Sequence, residues 1–119
     1  MKKTLVIGAS ENPERYSNKA IHALVSHGHE IVAIGLRAGE VDGISFSSEK
    51  TAFKNIDTVS LYVGPQNQPD YYSYIIGLEP HRVIFNPGTE NPEFITKLKI
   101  AGIYSEIACT LVLLATGQF

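Results

Sequence analysis

The sequence predicts a three-layer α/β domain, doubly wound, with a mainly parallel five-stranded sheet and helices on both faces. Short continuous apolar runs recur along the chain, each rich in β-branched residues and most of them closed by Gly, Pro or Asn. Strands buried on both faces read this way. Stretches of helical period separate the runs, and a strand, helix, strand unit of ~30 residues opens the chain. A length of 119 residues fits one domain spanning 1–119, because ~100–150 residues is the commonest domain size.

The first run, Thr4–Ile7, is a compact strand. After the turn Gly8–Tyr16, Ser17 has the chemistry of an N-cap, and Ala20, Ile21, Leu24 and Val25 repeat on one helical face up to Gly28. Glu30–Gly35 is the second strand. Arg37–Ser48, rich in Gly and Ser, reads as a loop with brief pairing between Val41 and Phe46, and Glu49–Asn55 as a short helix. Thr58–Val63 is the third strand, ended by Gly64-Pro65. Gln68–Leu78 places Tyr71, Tyr74, Ile75 and Leu78 at helical spacing, with Pro69 tolerated in the first turn. Arg82–Phe85 is the fourth strand. Asn91 caps a helix opened by Pro92 and carried by Phe94, Ile95 and Leu98 to Gly102, and Ile103–Ile107 is the fifth strand. Leu111–Leu114 fits a last helix or a strand equally well.

Composition narrows the function classes. A net charge of −2 and the lack of any Lys/Arg run argue against non-specific binding to nucleic acid. No apolar stretch approaches the ~20 residues needed to span a membrane, and no signal-peptide core follows Met1. The single cysteine, Cys109, rules out an internal disulfide and a multi-cysteine metal site. A reducing cytoplasm is the expected location. Beside apolar neighbours, Cys109 reads as a small hydrophobe rather than a nucleophile. His22, His27, His29 and His81 show no metal-ligand spacing, so neither a catalytic constellation nor a metal site is expected.

Ligands of open parallel sheets bind beyond the carboxyl ends of the strands. The first such turn holds Gly8 for a tight bend, small Ala9, Ser10 with a hydroxyl, turn-forming Asn12 and stiffening Pro13. Arg15 and Lys19 add positive charge beside a helix start, where backbone N–H groups attract anions. The dinucleotide fingerprint G-x-G-x-x-G is absent, with Ser10 and Pro13 where its later glycines would stand. The second strand ends in Gly35-Leu36-Arg37, with no acid to meet a ribose hydroxyl. A guanidinium there suits a phosphorylated ribose, as in NADP or the adenosine part of coenzyme A.

At Val6–Ser17, V-I-G-A-S-x-N-P-x-R-x-S resembles the small coenzyme A-binding proteins, which are similar to the N-terminal domain of the succinyl-CoA ligase α subunit. Ile56-Asp57-Thr58-Val59, Phe85-Asn86-Pro87-Gly88 and Ala101-Gly102-Ile103 follow in the family's order. The resemblance implies a Rossmann-like fold and a site for coenzyme A or an acyl-CoA. Gly8, Ser10, Asn12, Arg15 and Ser17 would form the phosphate-side turn, with Ala9 and Asn18 beside them. Arg37 and Gly64 follow strands two and three, and Asn86, Gly88 and Glu90 would lie over the pyrophosphate or pantetheine. Two departures stand out: Gly35-Leu36-Arg37 where the family often has Asn-Pro, and Phe85-Asn86-Pro87-Gly88-Thr89 in place of aromatic-x-Gln-x-Gly. In the ligase, catalysis uses a phosphorylated histidine from a second domain and a partner subunit, so binding without catalysis is the implied role. The expected partner is a small nucleotide ligand, with a second copy or another protein left open. A small NADP-dependent oxidoreductase and an interaction module that has lost its ligand are the alternatives.

Overall fold

The computed structural model describes residues 2–119. Five strands, β1 (Thr4–Ala9), β2 (Ile31–Gly35), β5 (Thr58–Leu61), β6 (Arg82–Phe85) and β7 (Tyr104–Ile107), form one parallel sheet in the order β2-β1-β5-β6-β7. A hairpin of β3 (Gly39–Val41) and β4 (Ile44–Phe46) follows β2. Helices α1 (Tyr16–Ser26) and α4 (Thr110–Ala115) cover one face, and α2 (Tyr72–Leu78) and α3 (Pro92–Ile100) the other. This is the doubly wound α/β fold expected from the sequence.

Alternation along β1 divides the core. Leu5 and Ile7 join Ile75, Phe94 and Leu98 beneath α2 and α3, while Val6 packs with Ile21, Leu24 and Leu114 beneath α1 and α4. The register shifts after Ile7, so that Ala9 pairs with Gly35 and turns to the Val6 side. A bulge of this kind re-aims the residue that follows it. Here it falls at Gly8, whose φ of +100° suits glycine.

Several local expectations are corrected. Ser17 is not the N-cap of α1. Arg15 is, because the Arg15 N–H bonds the Asn12 carbonyl and the Asn18 and Lys19 N–H groups reach back to Arg15. Ser17 is buried within the first turn. Glu49–Asn55 forms no helix; Phe53 is its one large apolar side chain, so a helix there would have no stripe to bury. Gln68–Leu78 is not one helix. Pro65 and Pro69 each open a 3-10 turn, Pro65–Asn67 and Pro69–Tyr71, before α2 begins. The ambiguous Leu111–Leu114 is helical, within α4, and Leu113 and Leu114 belong to the core. Asn91 caps α3 as expected, accepting from the Phe94 N–H at 3.3 Å.

Candidate functional site

The chain leaves β1 toward β2 on one side and later returns to β5 on the other. The order therefore reverses between β1 and β5, and the crevice above their carboxyl ends is where a ligand fits this topology. A cleft of about 900 Å³ lies there, toward the upper end of the ~300–1,000 Å³ usual for small-ligand sites.

Its floor is the first turn. A Cβ on Gly8 would come within 2.9 Å of the Tyr62 carbonyl oxygen, so this crossing of β1 and β5 requires glycine. The loop beyond is knitted by its own side chains. The Asn12 N–H donates to Ser10 Oγ (3.1 Å), the Glu14 N–H to Asn12 Oδ1 (3.0 Å), and Asn18 Nδ2 to the Ser10 carbonyl (3.0 Å). These bonds fix the loop and leave the helix start open. Arg15 supplies no side-chain cap, α1 has no acid in its first turn, and the Tyr16 and Ser17 N–H groups have no acceptor among the described residues. An uncapped helix start facing a cleft favours an anion.

The opposite wall is built on buried amides. Asn86, fully buried at the end of β6, donates through Nδ2 to Ser60 Oγ (3.0 Å) and the Leu61 carbonyl (2.9 Å) and accepts from the Thr110 N–H (2.8 Å). Gln68 Nε2 donates to the Val63 and Thr89 carbonyls (2.9 and 2.7 Å), and Asn91 Nδ2 donates to Gln68 Oε1 (2.9 Å). Satisfied networks of this kind hold one arrangement of loops. Asn86-Pro87-Gly88-Thr89 closes with a Thr89 N–H to Asn86 carbonyl bond of 3.0 Å and φ of +92° at Gly88, the pattern of a type II turn. The outward-facing Gly88 N–H bonds Glu90 Oε1 at 3.0 Å.

The structure thus gathers most of the sequence-predicted residues. Gly8, Ala9, Ser10, Asn12, Arg15 and Ser17 line the cleft, together with Arg37, Gly64 and Gly88. Asn18, Asn86 and Glu90 do not line it; Asn18 and Asn86 brace its loops from within, and Glu90 holds the Gly88 amide.

Several lining residues are not among those expected from the sequence, Leu36, Tyr62, Asp70 and Tyr71 among them. Leu36, 90% exposed, and Tyr62 stand at strand ends, a position that marked both as candidates. Asp70 and Tyr71 reach the cleft from the second 3-10 turn, and no sequence signal marked them. Among the lining charges, Arg15 and Arg37 oppose Glu11, Glu14 and Asp70. Glu11 is engaged, accepting the Glu40 N–H of the hairpin at 2.9 Å. The Tyr62 hydroxyl is buried without a hydrogen bond, since its polar neighbours Ser60 and Thr110 bond one another at 2.8 Å. Burial pushes this phenol up to about 12, with those two hydroxyls opposing the shift only in part.

Fold and cleft together define a doubly wound α/β domain with a ligand site at the strand ends. Residues 2–115 match the family described as CoA binding domain, and the chain belongs to that family. No curated protein matches it. Among solved structures, the crystal structure of an uncharacterized protein is 49% identical, with a TM-score of 0.97 over 100% of this chain and 98% of that one. A hypothetical protein from Pyrococcus horikoshii OT3 is 28% identical, with a TM-score of 0.84 over 93% of this chain and 80% of its own. The cell-free ID.343 protein from Thermus thermophilus shares the fold at 23% identity, with a TM-score of 0.86 over 99% and 90% of the two chains.

Proposed function

We propose that this domain binds coenzyme A or an acyl-CoA and performs no catalysis by itself. The observation that carries this reading is the uncapped start of α1, whose Tyr16 and Ser17 N–H groups lie at the cleft without acceptors among the described residues. Phosphate oxygens supply acceptors for such groups, and the helix dipole favours their charge. In this reading the Gly8–Ser17 turn holds the pyrophosphate, with Arg15 beside it. Arg37, exposed at the lip after β2, meets the ribose phosphate. The residues present fit the ligand: two guanidinium groups for phosphate, exposed Leu36 for an apolar ring face, and a cleft long enough to continue past β5 to the Gly88 turn.

A thermal-shift titration tests the reading. At several hundred times a dissociation constant of about 10 μM, coenzyme A should stabilise the fold by about 3 kcal/mol. No stabilisation there would reject it.

A second reading, an interaction module, has its own observation. Tyr104 and Ile107 are more than half exposed on β7, the edge strand of the sheet, and Val112 is likewise exposed on α4; exposed apolar groups on an unpaired edge invite a partner. Sedimentation showing a monomer at every concentration would count against it.

A further inference from the structure

The charges along the cleft are sorted by position. Both arginines, Arg15 and Arg37, lie at the end formed by β1 and β2. The end formed by the turns after β5 and β6 is different. Its wall is Val63, Tyr71 and Pro87 with the polar Asn67 and Thr89, and its one charged lining group is the carboxylate of Asp70. The neighbouring Glu90 is bound to the Gly88 N–H at 3.0 Å and does not line the cleft. Lys50 belongs to this side of the molecule but does not line the cleft. Its ammonium donates to the main-chain carbonyl of Asp70 at 2.7 Å and lies 5.1 Å from the centre of the Tyr71 ring.

We propose that the β5–β6 end of the cleft accepts the free thiol and thioesters with an uncharged acyl group, and rejects half-thioesters of dicarboxylic acids. The inference rests on the coenzyme A reading above and deepens it. All the phosphates of coenzyme A belong to its nucleotide half, so the arginines and the open helix start draw that half to the β1–β2 end. The thiol then points past Gly64 toward Asp70 and Gly88. An acetyl or butyryl group there meets Val63, Tyr71 and Pro87, which welcome apolar surface. The free carboxylate of a malonyl or succinyl group meets the Asp70 carboxylate and no lining cation at that end. Like charges a few ångströms apart repel, and a cleft wall screens them less than open water does.

Calorimetric titration of the whole protein with five ligands tests this: coenzyme A, acetyl-CoA, butyryl-CoA, malonyl-CoA and succinyl-CoA. The first three should bind within about threefold of one another, and the last two at least about tenfold more weakly than acetyl-CoA at low salt. Asp70→Asn should narrow that gap to about threefold. In the unaltered protein, raising salt from about 0.05 to about 0.5 M should narrow it too, because the repulsion is screened. Succinyl-CoA and malonyl-CoA binding as tightly as acetyl-CoA would overturn the inference and leave the coenzyme A reading standing. A gap that neither the substitution nor salt can move would also overturn it. If none of the five binds, the coenzyme A reading falls, and this inference with it.

Discussion

The carboxamide of Asn86 accepts the main-chain N–H of Thr110 at 2.8 Å, tying the end of β6 to the start of α4 across 24 residues of chain. The same side chain reaches back to β5 through Ser60 and Leu61. One fully buried residue thus joins three elements on one side of the cleft, and its worth is structural whatever the cleft holds.

Replacing Asn86 with Ala should therefore destabilise the fold by about 2–4 kcal/mol, because the Thr110 N–H and the Leu61 carbonyl lose a buried partner together. Urea unfolding measures it. A loss below about 0.5 kcal/mol would mean that water or rearranged neighbours replace the amide.

Gly8→Ala should cost about 2–4 kcal/mol, since φ of +100° is strained for alanine and its Cβ would press on the Tyr62 carbonyl at 2.9 Å. Thermal unfolding checks the stability. Ligand titration of the folded fraction checks whether the floor of the cleft moves with it.

Arg15→Ala and Arg37→Ala remove exposed side chains that have no hydrogen-bond or ion-pair partner among the described residues, so stability should change by less than about 0.5 kcal/mol. Coenzyme A binding should weaken by about 1–3 kcal/mol in each. Dephospho-coenzyme A, which lacks the ribose phosphate, separates the two roles. Arg37→Ala should leave its affinity almost unchanged, whereas Arg15→Ala should weaken it as before. Equal effects on both ligands would displace Arg37 from the ribose phosphate.

Tyr62 sets an alkaline limit. Its folded value of about 12 lies above the ordinary value of 10, so the folded state keeps a proton that the unfolded chain releases. Stability from this group is complete below pH 10 and is lost as pH rises through 12. Tyr62→Phe should remove that part of the alkaline decline. At pH 7 it should cost nothing or add stability, because the hydroxyl it removes is buried without a partner. Stability curves for the two proteins at pH 7, 10 and 11.5 provide the check. Tyr74, also raised to about 12 by burial, should leave a residual decline in both.

The strands were legible wherever burial on both faces made them continuous apolar runs, as in Leu5-Val6-Ile7 and Val83-Ile84-Phe85. Local preference misled where the tertiary context decided. Ser17 has good capping chemistry, yet the Asn12–Arg15 turn starts α1 a residue before it. Glu49–Asn55 holds helix-tolerant residues but no apolar stripe to keep them helical. The strand-end rule located the cleft because it follows from topology alone. Asp70 and Tyr71 stayed hidden, since they reach the cleft only after two proline-started turns redirect the chain. The inward role of Asn86 was equally hidden, because Asn-Pro-Gly reads as a surface turn until the partners of the amide are known.

In the proposed pose the Gly8–Ser17 turn and the Gly88 turn together hold coenzyme A, and an amide NMR titration with coenzyme A reads both turns at once. The largest shifts should fall at Gly8, Ser10, Tyr16 and Ser17, smaller ones at Arg37, Gly64 and Gly88, with little change along β7. No shifts at millimolar ligand, or shifts gathered away from the strand ends, would contradict it.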